Sequence, residues 1–175
     1  MREVVLYIGM SLDGFIADPA GGVDWMQGDG SEPGHPGSYP EFFRTVDTVL
    51  LGYRTYRQIT TELSPDTWAY SGKKTYVLTH RTLPPQEEIV FTDLPAGELL
   101  KKLKQQDGER IWACGGACVA RQLMELDAVD RYWISVIPVI LGGGVPLFPP
   151  GLRRQLRLHS VRRYNGIVDL QYLRA

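Results

Sequence analysis

The stretch that most narrows the choice of fold runs from Arg110 to Phe148, RIWACGGACVARQLMELDAVDRYWISVIPVILGGGVPLF. Ile111, Trp112 and Ala113 form a short apolar run that stops at Gly115 and Gly116, and Val119, Ala120, Leu123, Met124 and Leu126 then recur at helical spacing. Tyr132 to Ile140 is apolar on both faces, as in a strand buried within a sheet, and Gly142 to Gly144 turns it. Strand, tight turn, helix and buried strand in succession require an α/β architecture with a largely parallel sheet. The turn at Gly115-Gly116 also presents free backbone N–H groups and a partial positive charge at a helix start, with no Cβ to block an anion such as a diphosphate. A glycine pair is weaker than a full dinucleotide fingerprint, and glycine serves any turn with positive φ, so this turn alone leaves ligand binding and plain chain reversal both open.

The chain of 175 residues fits one domain, 1–175, with a core that needs no staples. Its formal charge of −1, with acids and bases interspersed, offers no broad basic face for nucleic acid or anionic lipid. The N-terminal run is too short and too soon acidic for a signal peptide, and no later run approaches a spanning helix, so a cytoplasmic protein is expected. Cys114 and Cys118, the only cysteines, flank the glycine pair, and with His35, His80 and His159 scattered they lack the pattern of a zinc site; no metal is expected.

Along the chain, Arg2 to Ser11 reads as a central strand. The loop SLDGFIADPAGGVDWM carries Phe15, Ile16, Trp25 and Met26 beside Asp13 and Asp24, a content suited to a lid over a ligand, or alternatively to Trp25 plugging the core while the aspartates make turns. Gln27 to Pro40 reads as a mobile surface excursion with a solvated His35. Glu41 to Val46 makes one or two helical turns, and Thr48 to Leu51 a second buried strand. That strand ends at Gly52, before a helix that starts with Arg54 and Thr55, a guanidinium and a hydroxyl suited to phosphate. The strand Lys73–Thr79 ends on Thr79, His80 and Arg81, where open α/β sheets bind ligands. Ile89–Thr92 follows, then a helix with Ala96, Leu99, Leu100 and Leu103 on its buried stripe. Leu156–Arg163 and Ile167–Leu173 form a hairpin around Asn165-Gly166, with Val168, Leu170 and Tyr172 on one face and Asp169 and Gln171 on the other. The sum is a mixed, mostly parallel sheet of about eight strands, about four helices and an antiparallel C-terminal hairpin.

In order and spacing, SLDGFIA, LLGYRTY, YVLTHR, CGGACV and DRYWISVIPVILGGGVPLF resemble the dihydrofolate reductase fold, in particular the branch that includes the reductase domain of bifunctional riboflavin biosynthesis proteins. The resemblance covers essentially the whole chain. It implies NADPH along the C-terminal edge of the sheet, with Gly115, Gly116, Ala117, Cys118 and Val119 at the diphosphate and Gly52, Arg54 and Thr55 as a second phosphate mouth. Thr79, His80 and Arg81 would take the adenosine ribose and its 2′-phosphate, and Ile16 and Ala17 would flank the nicotinamide with Ile8 close by. Ile8, Trp25 and Cys114 would meet the substrate, and Asp13 or Asp24 would supply the proton.

The chain departs from that pattern in places. PEFFRT puts Tyr39 where dihydrofolate reductases carry a pterin-binding acid, which argues against folate reduction. Tyr53 stands where many relatives have an arginine, leaving Arg54 and Arg81 to read the 2′-phosphate. The zinc signature of a deaminase is absent from the chain. The expected activity is hydride transfer from NADPH to a C=O or C=N of a small heterocyclic or sugar-bearing substrate, similar to 5-amino-6-(5-phosphoribosylamino)uracil reductase. The alternatives are an NADP(H)-binding module without turnover, or a dihydrofolate reductase. The resemblance also implies a homodimer contacting through Tyr132–Ile140 and Gly142–Phe148.

Overall fold

A computed structural model describes residues 1–175. In chain order the elements are β1 (Val4–Ser11), β2 (Phe15–Ala17), α1 (Tyr39–Arg44), β3 (Val46–Gly52), α2 (Tyr53–Gln58) running on into a π-helical turn (Ile59–Leu63), β4 (Lys74–Leu78), β5 (Ile89–Thr92), α3 (Ala96–Lys104), β6 (Arg110–Gly115), α4 (Ala117–Glu125), β7 (Arg131–Ile137), β8 (Val145–Pro146), β9 (Leu156–Tyr164) and β10 (Ile167–Arg174). Eight strands form one sheet in the order β5-β4-β3-β6-β1-β7-β10-β9, and β2 pairs with β8 in a separate ribbon. From β5 to β7 every pairing is parallel, and β10 runs antiparallel to both β7 and β9. The α/β class, the mostly parallel sheet and the antiparallel hairpin are as expected.

Burial on both faces explains the apolar runs. One layer packs Val4, Leu6, Leu50, Ile111 and Ile134 against the apolar stripes of α3 and α4, including Leu99, Leu103, Val119 and Leu123. The other packs Val5, Val49, Leu51, Val77, Trp112 and Trp133 around Phe42, the one fully buried side chain of α1. Each large buried side chain contributes about 1.5–3 kcal/mol relative to exposure, so both layers are needed to hold the sheet.

Chain order sets the position of a crevice. The chain leaves β1, builds β3, β4 and β5 outward, then returns with β6 between β3 and β1 before placing β7 on the other flank of β1. Strand order therefore reverses around β1 and β6, and their C-terminal ends open a gap of the kind that receives ligands in open α/β sheets.

Two local expectations change. The strand expected over Tyr132–Ile140 spans Arg131–Ile137 and ends before Pro138, whose ring cannot donate to a ladder. The excursion expected to be mobile is docked on the C-terminal hairpin. Asp29 N–H donates to the Asn165 carbonyl at 2.9 Å, Glu32 and Asn165 exchange two bonds at 3.1 Å, and His35 stacks on Tyr164 at 5.0 Å. In β10 it is the polar face that is buried, because the adjoining Trp133 and Ser135 supply donors to Asp169, which is wholly buried.

Candidate functional site

Two glycine turns face each other across the crevice. Gly52 ends β3 and caps α2, and Gly116 caps α4 just after β6. A Cβ added to Gly116 would lie 3.0 Å from Thr55 Oγ1, and one added to Gly52 would lie 3.4 Å from Val119 Cγ2. The starts of the two helices are therefore in contact, and larger residues at these glycines would fill the space between them. Gly115 has φ +116°, a conformation that side chains oppose, and the Gly115–Gly116 peptide is cis.

Along this edge runs a cavity of about 940 Å³, at the upper end of the range for ligand pockets. Of the residues singled out from sequence, Ile8, Ile16, Ala17, Gly52, Arg54, Thr55, Thr79, His80, Cys114, Gly116, Ala117, Cys118 and Val119 line it. Gly115 is buried beneath it, in the turn. Arg81 lies just outside, its guanidinium 4.8 Å over the Tyr53 ring, in a shallower depression of about 300 Å³ that shares Thr79 and His80 with the main cavity. The 79–81 turn is shaped by the Thr79 hydroxyl accepting from the Arg81 N–H at 3.1 Å.

The lid divides into two halves. Its first half is fastened to β8 and the residue after it: Phe15 and Ala17 pair with Pro146 and Val145, and Leu147 N–H donates to the Gly14 carbonyl at 3.0 Å. Its second half, Asp18 to Met26, closes on itself through Asp18, which accepts from Ala20 and Gly22 at 2.8 Å. Gln58 Nε2 donates to the Gly21 carbonyl at 3.0 Å and ties the lid to α2. Gly21, Val23 and Met26 thereby roof the cavity.

Asp13, Asp24 and Trp25 were expected at the substrate, and the structure does not bring them to the cavity wall. The exposed Asp13 carboxylate accepts from Ser11 Oγ at 2.7 Å and from the Leu141 and Gly142 N–H groups at 3.1 and 2.7 Å, bonds that hold its pKa below the usual carboxylate range. It clasps the lid to the glycine turn. Asp24 is exposed, and Trp25 turns its indole N–H back to the Gly22 carbonyl at 3.0 Å.

Other residues take the deep end. Tyr7, Gly9, Met26, Tyr70 and Trp112 line it together with Cys114. Cys114 is the extra residue where β6 slips register against β3, Leu50 pairing with Ala113 and Leu51 with Gly115. Such a bulge re-aims a side chain beside a site. Its thiol lies 3.3 Å from the Tyr70 hydroxyl, and burial pushes it up to about 12. Burial also raises the Tyr70 phenol, and it raises Tyr7 to about 12 against a smaller lowering by Ser38. Behind Tyr7 a chain of bonds runs from Ser38 Oγ at 3.0 Å to Tyr164 OH at 3.2 Å and on to Asp169 Oδ1 at 3.0 Å. Tyr7, Tyr70 and Trp112 are not marked out as site residues by the sequence. The available signal was that Tyr7 and Trp112 precede Gly9 and Gly115 by a few residues within their strands.

Comparison with known proteins bears on the family and the fold. Residues 2–170 match the model of a family described as the RibD C-terminal domain. The uncharacterized protein YwjB of Bacillus subtilis strain 168 is 40% identical over 179 aligned residues, covering 99% of each chain. The fold is similar to a protein of Shewanella sp. PV-4 that carries a provisional riboflavin-biosynthesis name, at TM-score 0.80 and 27% identity over 100% of this chain and 99% of that one. It is also similar, at TM-score 0.74 and 18% identity, to 57% of a Thermotoga maritima protein named as a diaminohydroxyphosphoribosylaminopyrimidine deaminase and 5-amino-6-(5-phosphoribosylamino)uracil reductase.

Proposed function

Because the chain belongs to the RibD C-terminal domain family, we propose that it is an NADPH-dependent reductase of a small molecule bearing a C=O or C=N. The observation that carries this reading is the joining of the two glycine turns, Thr79 and His80 in one cavity that also takes in the aromatic residues Tyr7, Tyr70 and Trp112. The residues present suit the cofactor. Gly116, Ala117 and Val119 leave room and N–H groups for a diphosphate, Arg54 and Thr55 stand at the adjoining helix start, and His80 and Arg81 flank the far end for a 2′-phosphate. Ile8, Ile16 and Ala17 supply apolar walls for the nicotinamide.

When bound, NADPH supplies a hydride to the substrate carbon and leaves as NADP⁺, while one proton goes to the oxygen or nitrogen. The chain's part is to orient, to exclude water and to keep donors protonated. Met26 and Val23 cover the reacting region, and the Tyr7 and Tyr70 phenols, neutral at physiological pH at a phenol's ordinary pKa, are moved further from ionisation by burial. Asp13 and Asp24 have no part in this scheme, since the first is committed to the glycine turn and the second lies away from the wall.

The test is loss of absorbance at the reduced-nicotinamide band with pteridine, pyrimidine and carbonyl substrates. Oxidation of NADPH that depends on one of them is expected. Tight binding with no oxidation across the panel would favour a nucleotide-binding module, for which Tyr39 in place of the acid of dihydrofolate reductases is the motivating feature.

A further inference from the structure

The lining of the cavity is unevenly charged. Among its residues Arg54, His80 and Asp93 are the only basic or acidic side chains, and all three follow β3, β4 or β5. Tyr7 and Gly9 belong to β1, which stands two strands from β3 and three from β4. At about 4.8 Å per strand the β1 backbone of the deep end stands roughly 10 to 14 Å from those of β3 and β4, with β6, which carries Trp112 and Cys114, between.

The deep wall is made of rings whose polar atoms are already engaged. Trp112 meets Tyr70 edge-on at 4.9 Å and Tyr7 at 6.2 Å, and its indole N–H donates to the Tyr7 carbonyl at 3.0 Å. The Tyr7 hydroxyl is bonded to Ser38 and the Tyr70 hydroxyl to Cys114. The amide of Gln58 is taken by Gly21. Lys73 lies behind this wall, its ammonium 4.8 Å over the Phe43 ring, and does not line the cavity. Tyr7, Tyr70 and Cys114 are protonated at neutral pH at their ordinary pKa values and burial raises all three, so no anion arises here.

We propose that the deep end accepts an uncharged, flat, conjugated heterocycle that carries no phosphate, so that this chain does not act on a phosphoribosyl substrate of the kind named for the Thermotoga protein. The proposal rests on the reductase reading, which assigns the charged end of the cavity to the cofactor. A phosphate dianion placed against Trp112, Tyr70 and Met26 would lose its hydration without gaining a cation, a cost that ring stacking does not offset. A flat neutral ring gains on both counts, by burial and by face or edge contacts with aromatic partners.

The experiment uses the full chain saturated with NADPH and three probes: 5-amino-6-(5-phosphoribosylamino)uracil, its phosphate-free riboside, and a neutral pteridine without sugar. NADPH oxidation and calorimetric binding are measured with each. Both neutral probes should bind at least about ten-fold more tightly than the phosphorylated one, and any probe turned over should show the same order in kcat/KM. Met26→Lys, which adds a cation beside Gly9, should reduce or reverse that order. Equal or tighter binding of the phosphorylated probe by the wild-type chain, or binding of none of the three, overturns the proposal. Binding in the expected order with no oxidation overturns the reductase reading and leaves the preference standing.

Discussion

Tyr7 shows how one residue ties stability to the site. Its ring stacks on Phe42 at 4.2 Å, its side chain borders the cavity, and its hydroxyl joins the chain of bonds that ends on Asp169. Burial raises its pKa from 10.0 to about 12, so the folded chain holds this proton more tightly than the unfolded chain does. Stability from this source is fully present below pH 10.0 and declines as pH rises to about 12, by about 3 kcal/mol at most. Urea unfolding across that window should show a falling midpoint, and Tyr7→Phe should show a shallower fall; equal slopes would contradict the assignment. At this scale the sequence was readable where glycine stood and silent where aromatics did. Gly115, by its positive φ, and Gly116, where a Cβ would press on Thr55, announce close backbone approach. Tyr7 and Trp112 sit in apolar runs, and nothing local separates a ring that packs the core from one that faces a ligand.

At the level of elements, the lid depends on the β2–β8 ribbon. Gly144, at φ +136°, would place a Cβ 2.1 Å from the Ala17 carbonyl oxygen, so only glycine permits the pairing of Ala17 with Val145. Gly144→Val should part this ribbon, lower stability by about 1–3 kcal/mol, and speed proteolytic cleavage within residues 11–26. Unchanged cleavage would show that the ribbon does not hold the lid. The long elements were legible because periodicity and turn chemistry agree, as at Asn165-Gly166, where φ of +48° and +75° fits the two-residue hairpin expected there. The short ribbon and the π-helical turn were not, since neither has enough residues to form a pattern and both exist by tertiary contact. The same holds for Asp13. A carboxylate beside a glycine reads equally as catalyst or clasp until its partners, more than a hundred residues away, are in view.

Across the whole molecule, the homodimer implied by resemblance can be framed more narrowly. The strand β7 is covered on both sides by β1 and β10, which leaves the exposed Ile140 and Phe148 beyond it as the apolar positions of that region free to meet a second copy. Light scattering at micromolar concentration should give twice the chain mass, and Ile140→Asp with Phe148→Asp should halve it. A single-chain mass for the wild type would end that proposal. No helix is long and apolar enough to cross a membrane. The most direct test of the central claim is calorimetric titration of NADPH and NADH into the wild-type chain and Arg54→Ala/Arg81→Ala. The expected result is a loss of roughly ten-fold or more in affinity for NADPH with little change for NADH, since only NADPH offers a 2′-phosphate to these cations. Equal weakening of both nucleotides, or no binding of either by the wild-type chain, would contradict it.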